Sequence, residues 1–285
     1  MATTLLGKPV ADALVQKLSE RVGALGEQGC VPGLAILRVG ERGDDLSYER
    51  GALKRAGECG IAVKQVVLPA DATTEDILAA VDGINADPEI HGCLMFRPLP
   101  KGVDEAAVCE RLDPAKDVDG MTRGSLARVI SGTGDGFGPC TAAACIDVLD
   151  HYEIPIAGAH AVVVGRSLVI GKPVAHMLLE RNATVTICHS RTPDLPKMIQ
   201  QGDIVVCATG RARAYSADCF RAGQTVLDVG INFDENGTMC GDVDFDAVEP
   251  IVDAITPSPR GVGSVTTVAL MRNVVTAAEK ACGKA

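Results

Sequence analysis

The stretch AVVVGRSLVIGKPVAHMLL, residues 161–179, decides the fold. Its first four residues form a β-branched apolar run that stops at Gly165, the pattern of a strand buried on both faces. Gly165, Arg166 and Ser167 then turn the chain, a second glycine follows at Gly171, and Pro173 stands beside the start of a helical segment. Such a strand, turn and helix aim backbone N–H groups and a helix N-terminus at one point, as dinucleotide-binding units do for a pyrophosphate. The glycine spacing is GxxxxxG and not GxGxxG, so a tight turn without a ligand is the plain alternative.

Outward from this stretch the same alternation repeats. TVTICHS (184–190), DIVVCATG (203–210) and QTVLDVGIN (224–232) are short β-branched runs ending in glycine or small polar residues, which gives a Rossmann-type unit. Upstream, Val10, Leu14, Leu18, Val22 and Leu25 recur at helical spacing before the strand-like PGLAILRVG (32–40). A polar helix-like stretch from Ser47 to Cys59 precedes IAVKQVVL (61–68), and TTEDILAAVDGIN (73–85) opens with a capping-type Thr and Glu before GCLMF (92–96). SGTGDGFG (131–138) is a glycine-rich boundary between two α/β series, and 264–282 is helical, either capping the second series or crossing back to the first.

A chain of 285 residues with 47% hydrophobic and 22% charged residues has material for two cores and no disordered or fibrous character. A net charge of −10 argues against nucleic acid or anionic lipid as partner. The N-terminus has no basic segment followed by a long apolar one, and no run approaches a membrane span, so a cytoplasmic protein is expected. The eleven cysteines include no CxxC pair and the five histidines no HxxxH, so neither a disulfide framework nor a metal site is expected. Cys93, Cys188 and Cys207 fall in strand-like runs, where a thiol is a small hydrophobe.

The second strand of the dinucleotide unit sharpens the cofactor. An NAD-preferring unit carries an acidic residue after that strand for the ribose 2′-hydroxyl, whereas this chain has Cys188, His189, Ser190 and Arg191. A hydroxyl and a guanidinium suit a 2′-phosphate, and Arg166 adds a second cation, so NADP is expected over NAD. Arg191 as a solvated surface charge, or both arginines holding free phosphate beside NAD, keep NAD open.

Several longer motifs, in order, resemble the methylenetetrahydrofolate dehydrogenase/cyclohydrolase family: PGLAILRVG, the Tyr48 helix, KDVDG (116–120), PCT (139–141), VVVGRSLVIGKP (162–173), DVGIN (228–232), GDVDF (241–245) and TPSPRGVGSVTTVALM (256–271). The resemblance implies a folate-side α/β domain of residues 1–138 with 267–285, a Rossmann NAD(P)-binding domain of 139–266, a cleft between them and a homodimer. It makes Tyr48 and Asp119 the catalytic and substrate-binding pair, one stacking on the folate and the other binding the pterin ring. A flat phenol suits a pterin face and a carboxylate an aminopyrimidine edge. Without the family, Tyr48 is a helix tyrosine and Asp119 a turn residue. Pro259, Gly263 and Thr266 match the segment closing over the reacting ends. Gly230 and Ile231 match the loop against the nicotinamide, Ala208, Thr209 and Gly210 a loop bordering the cofactor, and Gly165, Arg166, Ser167 and Gly171 the phosphate turn.

The pattern breaks at the folate end. The family's bifunctional members place a lysine four residues after the tyrosine, where this chain has Ala52, and a supporting glutamine where it has Phe96. Lys54 does not substitute, because i+6 lies about 240° round the helix from Tyr48, and Arg55 at i+7 lies about 10 Å along the axis. Arg97 replaces the usual leucine, Asp45 a serine, Arg260 a glycine, and Ser264 with Val265 a proline and methionine. Hydride transfer from 5,10-methylenetetrahydrofolate needs positioned rings but no protein base, whereas cyclohydrolysis needs a group of tunable pKa. The expectation is an NADP-dependent dehydrogenase with weak or absent cyclohydrolase activity. The alternatives are a fully bifunctional enzyme using Arg97, Arg55 or a water, a non-catalytic folate- and NADP-binding paralogue, and a Rossmann oxidoreductase of another substrate.

Overall fold

The computed structural model describes residues 2–283. In chain order the first half holds β1 (Thr3–Thr4), α1 (Gly7–Gly26), β2 (Gly33–Val39), α2 (Gly43–Cys59), β3 (Ala62–Leu68), α3 (Thr74–Ala86), β4 (Gly92–Met95), α4 (Glu105–Arg111) and α5 (Arg123–Ser131). The second holds α6 (Cys140–His151), β5 (His160–Val164), α7 (Gly171–Glu180), β6 (Thr184–Cys188), α8 (Leu195–Gln200), β7 (Ile204–Cys207), β8 (Thr225–Asp228), β9 (Asn232–Phe233), β10 (Met239–Cys240), α9 (Phe245–Val248), β11 (Ala254–Ile255) and α10 (Gly263–Ala281). No helix among the described residues is long and apolar enough to cross a membrane.

These elements form two compact units, one of residues 13–140 with the chain from Thr267 onward, the other of 141–266 with the first twelve residues. In the first unit β3, β2 and β4 make a parallel sheet in that order. The central β2 is buried along its whole length, which is why it is apolar except at Arg38. Its core joins Leu37, Ile77, Val81, Cys93 and Leu112, all almost free of exposure. α3 is fixed by a capping box in which Thr73 and Asp76 bond each other's backbone N–H, so the acidic partner is Asp76 where the sequence suggested the preceding glutamate. α2 begins at Gly43, before the expected Ser47, and stops at the left-handed Gly60.

The second unit is built on a parallel sheet of order β1-β11-β8-β7-β5-β6. The four strands expected from sequence are all present. The structure adds β1 and β11, so the N-terminal residues expected in the folate-side domain extend this sheet instead, because Thr3 and Thr4 pair with Ala254 and Ile255. The chain leaves β5 for β6 on one side and returns to β7 on the other. This reversal opens a crevice beyond the strands' carboxyl ends, where open α/β sheets take their ligands.

One expectation on cysteine is corrected: Cys30 and Cys282 are disulfide-bonded across a sequence separation of 252. α10 carries Cys282 back to the first unit, a return that no local spacing encodes. The other nine cysteines are free and buried, including Cys93, Cys188 and Cys207.

Candidate active site

In the second unit the glycines of the phosphate turn are required by contact. Gly165 has φ +134°, and a Cβ there would lie 2.3 Å from the Ala208 carbonyl oxygen at the end of β7. A Cβ at Gly171 would lie 2.3 Å from the Gly165 oxygen. The backbones of two expected cofactor segments therefore meet at the crevice. The Ser167 hydroxyl accepts from the N–H groups of Ile170 and Gly171 at 3.1 and 3.3 Å, which fixes the start of α7.

After β6 the turn is tied by His189 N–H to the Thr192 hydroxyl at 2.9 Å and by Arg191 N–H to His189 Nδ1 at 3.1 Å. Ser190, Arg191 and Arg166 are exposed, and neither arginine has an acidic partner among the described residues. Two uncompensated guanidiniums and a hydroxyl suit a phosphate monoester.

Two buried carboxylates that sequence reasoning assigned no role organise the remaining cofactor loops. Asp242 Oδ2 accepts from the Thr209 hydroxyl at 3.0 Å and the Gly210 N–H at 3.1 Å, and its Oδ1 accepts from Arg211 N–H and the Asn232 amide at 2.9 Å each. Thr209 N–H also bonds Oδ2. Asp228 accepts from the N–H groups of Gly230, Asp242 and Val243 at 3.0, 2.9 and 2.9 Å. Burial pushes the Asp228 carboxyl up to about 6 against these three hydrogen bonds, with the neighbouring Asp242 charge adding to the push. A Cβ at Gly230 would lie 2.3 Å from Asp242 Oδ1, so the loop after β8 sits directly on this carboxylate. The motif GDVDF was the available signal for Asp242, but its spacing alone does not disclose five hydrogen bonds.

Gly230 and Ile231 share a cavity of about 230 Å³ with Pro259, Arg260 and Gly263, which joins four of the expected site residues. Thr266, one turn along α10, is not among its lining residues. Arg260 has φ +79°, a left-handed backbone that glycine adopts without cost and arginine does not.

In the first unit, α2 presents Tyr48, 37% exposed. The Phe96 ring meets it edge to face with centroids 5.8 Å apart. Ala52, one turn further along α2, has no exposed surface. Lys54 points to solvent near Glu58 at 3.9 Å, and Arg55 binds Glu58 at 2.7 Å, so neither offers a cation beside Tyr48. Asp119 lies within a turn held by the buried Asp117, which accepts from Met121 and Thr122 N–H at 3.0 and 2.7 Å. Burial pushes the Asp119 carboxyl up to about 6, opposed by a hydrogen bond with the Cys140 thiol and by the Arg97 charge. Burial and the Asp119 charge also push the Tyr48 phenol up, so both stand in one electrostatic environment.

A charged underlay supports this end and was missed in the sequence. Arg38 and Glu49 form a buried pair at 3.1 Å, and Gln65 donates to Glu49 at 2.7 Å. Arg42 binds Asp45 at 2.7 Å and the Pro98 carbonyl at 3.0 Å, tying α2 to the segment after Phe96. The Asp45 substitution thus has a structural partner.

Two family models match the chain: the tetrahydrofolate dehydrogenase/cyclohydrolase catalytic domain over residues 5–119 and the NAD(P)-binding domain of the same family over 139–282. The bifunctional protein FolD of Alkaliphilus oremlandii is 48% identical over 282 residues, 99% of this chain and 98% of the relative. That of Carboxydothermus hydrogenoformans is 50% identical over 281 residues, 98% of each. The crystal structure of the bifunctional FolD methylenetetrahydrofolate dehydrogenase/cyclohydrolase from Campylobacter jejuni superposes with a TM-score of 0.94 at 35% identity, covering 98% of this chain and 99% of the other. The Trypanosoma brucei enzyme, complexed with NADP and an inhibitor, gives 0.90 at 33%, covering 98% of both. With both domain models in order and near-complete coverage of its relatives, the chain belongs to the tetrahydrofolate dehydrogenase/cyclohydrolase family.

Proposed function

We propose that the protein is a 5,10-methylenetetrahydrofolate dehydrogenase that passes a hydride to NADP, giving 5,10-methenyltetrahydrofolate, with weak or absent cyclohydrolase activity. The unit of residues 13–140 and 267 onward takes the folate, and the unit of 141–266 takes the cofactor. Tyr48 covers the pterin face, and Asp119, ionised above about pH 6, accepts from the aminopyrimidine edge. Pro259, Gly263 and Thr266 shape the reacting end. Gly165, Ser167 and Gly171 admit the pyrophosphate to the start of α7, and Arg166, Ser190 and Arg191 take the 2′-phosphate. Ala208, Thr209, Gly230 and Ile231 flank the nicotinamide, held in place by Asp242. NADP supplies the hydride acceptor, and the protein's work is orientation and exclusion of water.

The observation that carries the reading is the buried Ala52 beside Tyr48, with Phe96 packed on the tyrosine ring in place of the family's glutamine. Cyclohydrolysis has no amine there to move protons. Full bifunctionality is the second reading, favoured by the relatives' shared description as bifunctional. It would draw on Arg97 near Asp119, although a guanidinium stays charged at any working pH. Purified protein with 5,10-methylenetetrahydrofolate and NADP, followed at the reduced-nicotinamide and methenyl-folate absorbance bands, separates the two. Methenyl-folate rising in step with reduced cofactor supports the proposal; its consumption faster than the spontaneous rate overturns it.

We further infer a cytoplasmic homodimer. Nine free buried thiols suit a reducing compartment. The edge strand β3 has no buried residue along its length, and Val67 is 48% exposed, which suits pairing with a second copy. A monomer mass by light scattering would refute the dimer.

A further inference from the structure

Cys30, His91 and Cys282 come from three distant segments: the turn after α1, the residue before β4, and the end of α10. One ligand atom from each lies within 4.8 Å of the others. Cys30 and His91 are buried while Cys282 is exposed, and the three line an open hollow of about 660 Å³ with Glu89 and Pro88. That space admits a small peptide-sized molecule to the sulfurs. Among the eleven cysteines this is the pair that is bonded, and the other nine are free and buried.

The imidazole is pre-set for sulfur chemistry. Gly33 N–H donates to His91 Nδ1 at 3.0 Å, which places the proton of the neutral ring on Nε2. Burial and the nearby Lys116 charge favour that neutral ring. A ring so fixed offers a donor and no free lone pair, which suits a thiolate neighbour better than a metal cation.

We propose that Cys30 and Cys282 are a reversible thiol–disulfide exchange site, assisted by His91, whose substrates are small-molecule thiols and their disulfides. In the reducing direction a small thiolate attacks the exposed Cys282 Sγ. The sulfur–sulfur bond breaks and its electron pair passes to Cys30 Sγ, where the thiolate is stabilised by the imidazole and takes up a proton. A second small thiolate attacks the outer sulfur of the mixed disulfide, releasing the small disulfide and the Cys282 thiolate. Two small thiols are oxidised and one protein disulfide reduced, and the reverse sequence uses a small disulfide as oxidant. The bond ties the end of α10, whose Val268, Leu270, Met271, Val274 and Val275 are fully buried, to the turn after α1. Reduction therefore frees the far end of a core helix.

The test equilibrates the full-length folded protein in glutathione buffers of graded reduced-to-oxidised ratio, then alkylates and maps free thiols by mass spectrometry. Cys30 and Cys282 are expected to change state together at intermediate ratios while the other nine stay reduced, with the thermal midpoint about 5–10 °C lower in the reduced form. In Cys30→Ser, glutathione is expected to be trapped on Cys282. His91→Gln is expected to slow reduction of the pair by glutathione about fivefold through a poorer leaving thiolate. A pair that keeps one state at every ratio overturns the proposal, as does glutathione spread over other cysteines. An unchanged rate in His91→Gln overturns the part given to the imidazole. Protection of both thiols by zinc in the reduced protein would assign the cluster to metal binding instead.

Discussion

Replacing Ala52 by lysine and Phe96 by glutamine together is expected to create cyclohydrolase activity, and neither change alone should suffice. Residues 48 and 52 stand one turn apart on α2, so a lysine at 52 rises along the Tyr48 ring with Cβ atoms about 5–6 Å apart. The space beside that ring is taken by Phe96, whose centroid lies 5.8 Å from that of Tyr48. Ala52→Lys alone thus forces a long side chain into a site with no exposed surface, at a cost of about 1–3 kcal/mol. Phe96→Gln alone gives up about 2–3 kcal/mol of burial and about 1 kcal/mol of ring contact, and leaves an amide without a partner. Made together the changes couple, because the glutamine vacates the space that the lysine stem fills and bonds its amine. The double variant should lose about 2–4 kcal/mol, lowering the thermal midpoint by about 3–7 °C. A positioned acid–base group contributes about 10²–10⁴-fold. Conversion of methenyl-folate to formyl-folate, read as decay of the methenyl band without NADP, should therefore rise at least about 10²-fold over the parent. A folded double variant that keeps its dehydrogenase activity but gains no decay would refute the proposal that these two positions decide the cyclohydrolase activity.

Asp242→Asn turns one acceptor oxygen into a donor facing the Thr209 to Arg211 loop and Asn232. Losing two charge-assisted hydrogen bonds costs about 3–6 kcal/mol locally, so the KM for NADP should rise more than about tenfold while binding of a folate analogue holds, and an unchanged KM counts against the platform. Arg191→Ala should raise the KM for NADP about 10–100-fold and leave that for NAD unchanged; equal effects on both would remove Arg191 from the 2′-phosphate. Asp228 sits at about 6 in the folded chain against 3.8 in the unfolded one. Between about pH 4 and 6 the folded state therefore binds more protons than the unfolded state, and stability falls as pH rises through that window, by about 3 kcal/mol at most, then levels. Asp119 acts with the same sign. Urea unfolding at pH 4.5 and 6.5 should show a smaller loss in Asp228→Asn than in the parent, and identical losses would contradict the raised carboxyl.

The central strands β2, β4, β5, β7 and β8 were legible because each is a short, largely apolar run buried along its length, so its composition declares it. β1 and β11 were not: each has two residues, too few for any period, and their pairing is set by neighbours far along the chain. The phosphate turn could be recognised because glycine is the residue that tolerates the approach of Gly165 to Ala208. Asp228 and Asp242 stayed hidden because a carboxylate that gathers backbone N–H groups in the core looks, in sequence, like one in solvent. The Cys30–Cys282 bond stayed hidden for a related reason, since it is closed by the return of α10.

The candidate sites of the two units differ in what fixes them. The cofactor side is defined by backbone against backbone or backbone against carboxylate, at Gly165, Gly171 and Gly230, where one added carbon meets an atom at 2.3 Å. A side chain at any of these three glycines would move the chain, although the same unit carries a departure at Arg260, which holds a left-handed backbone at φ +79°. The folate side is defined by side chains on α2 and after β4, so positions 52, 96 and 97 can change together without disturbing the sheet. The changes are also coherent in charge. Burial and the neighbouring Asp117 drive the Asp119 carboxyl toward its neutral form, and the hydrogen bond with the Cys140 thiol is the larger influence against them. The Arg97 guanidinium opposes that drive. Its pull on Asp119 is weaker than that of the thiol, and a guanidinium cannot release a proton as an amine can. Under the proposed function, Ala52 and Phe96 leave this end without an amine to move protons, the arrangement a dehydrogenase that hands its methenyl product on unhydrolysed would have.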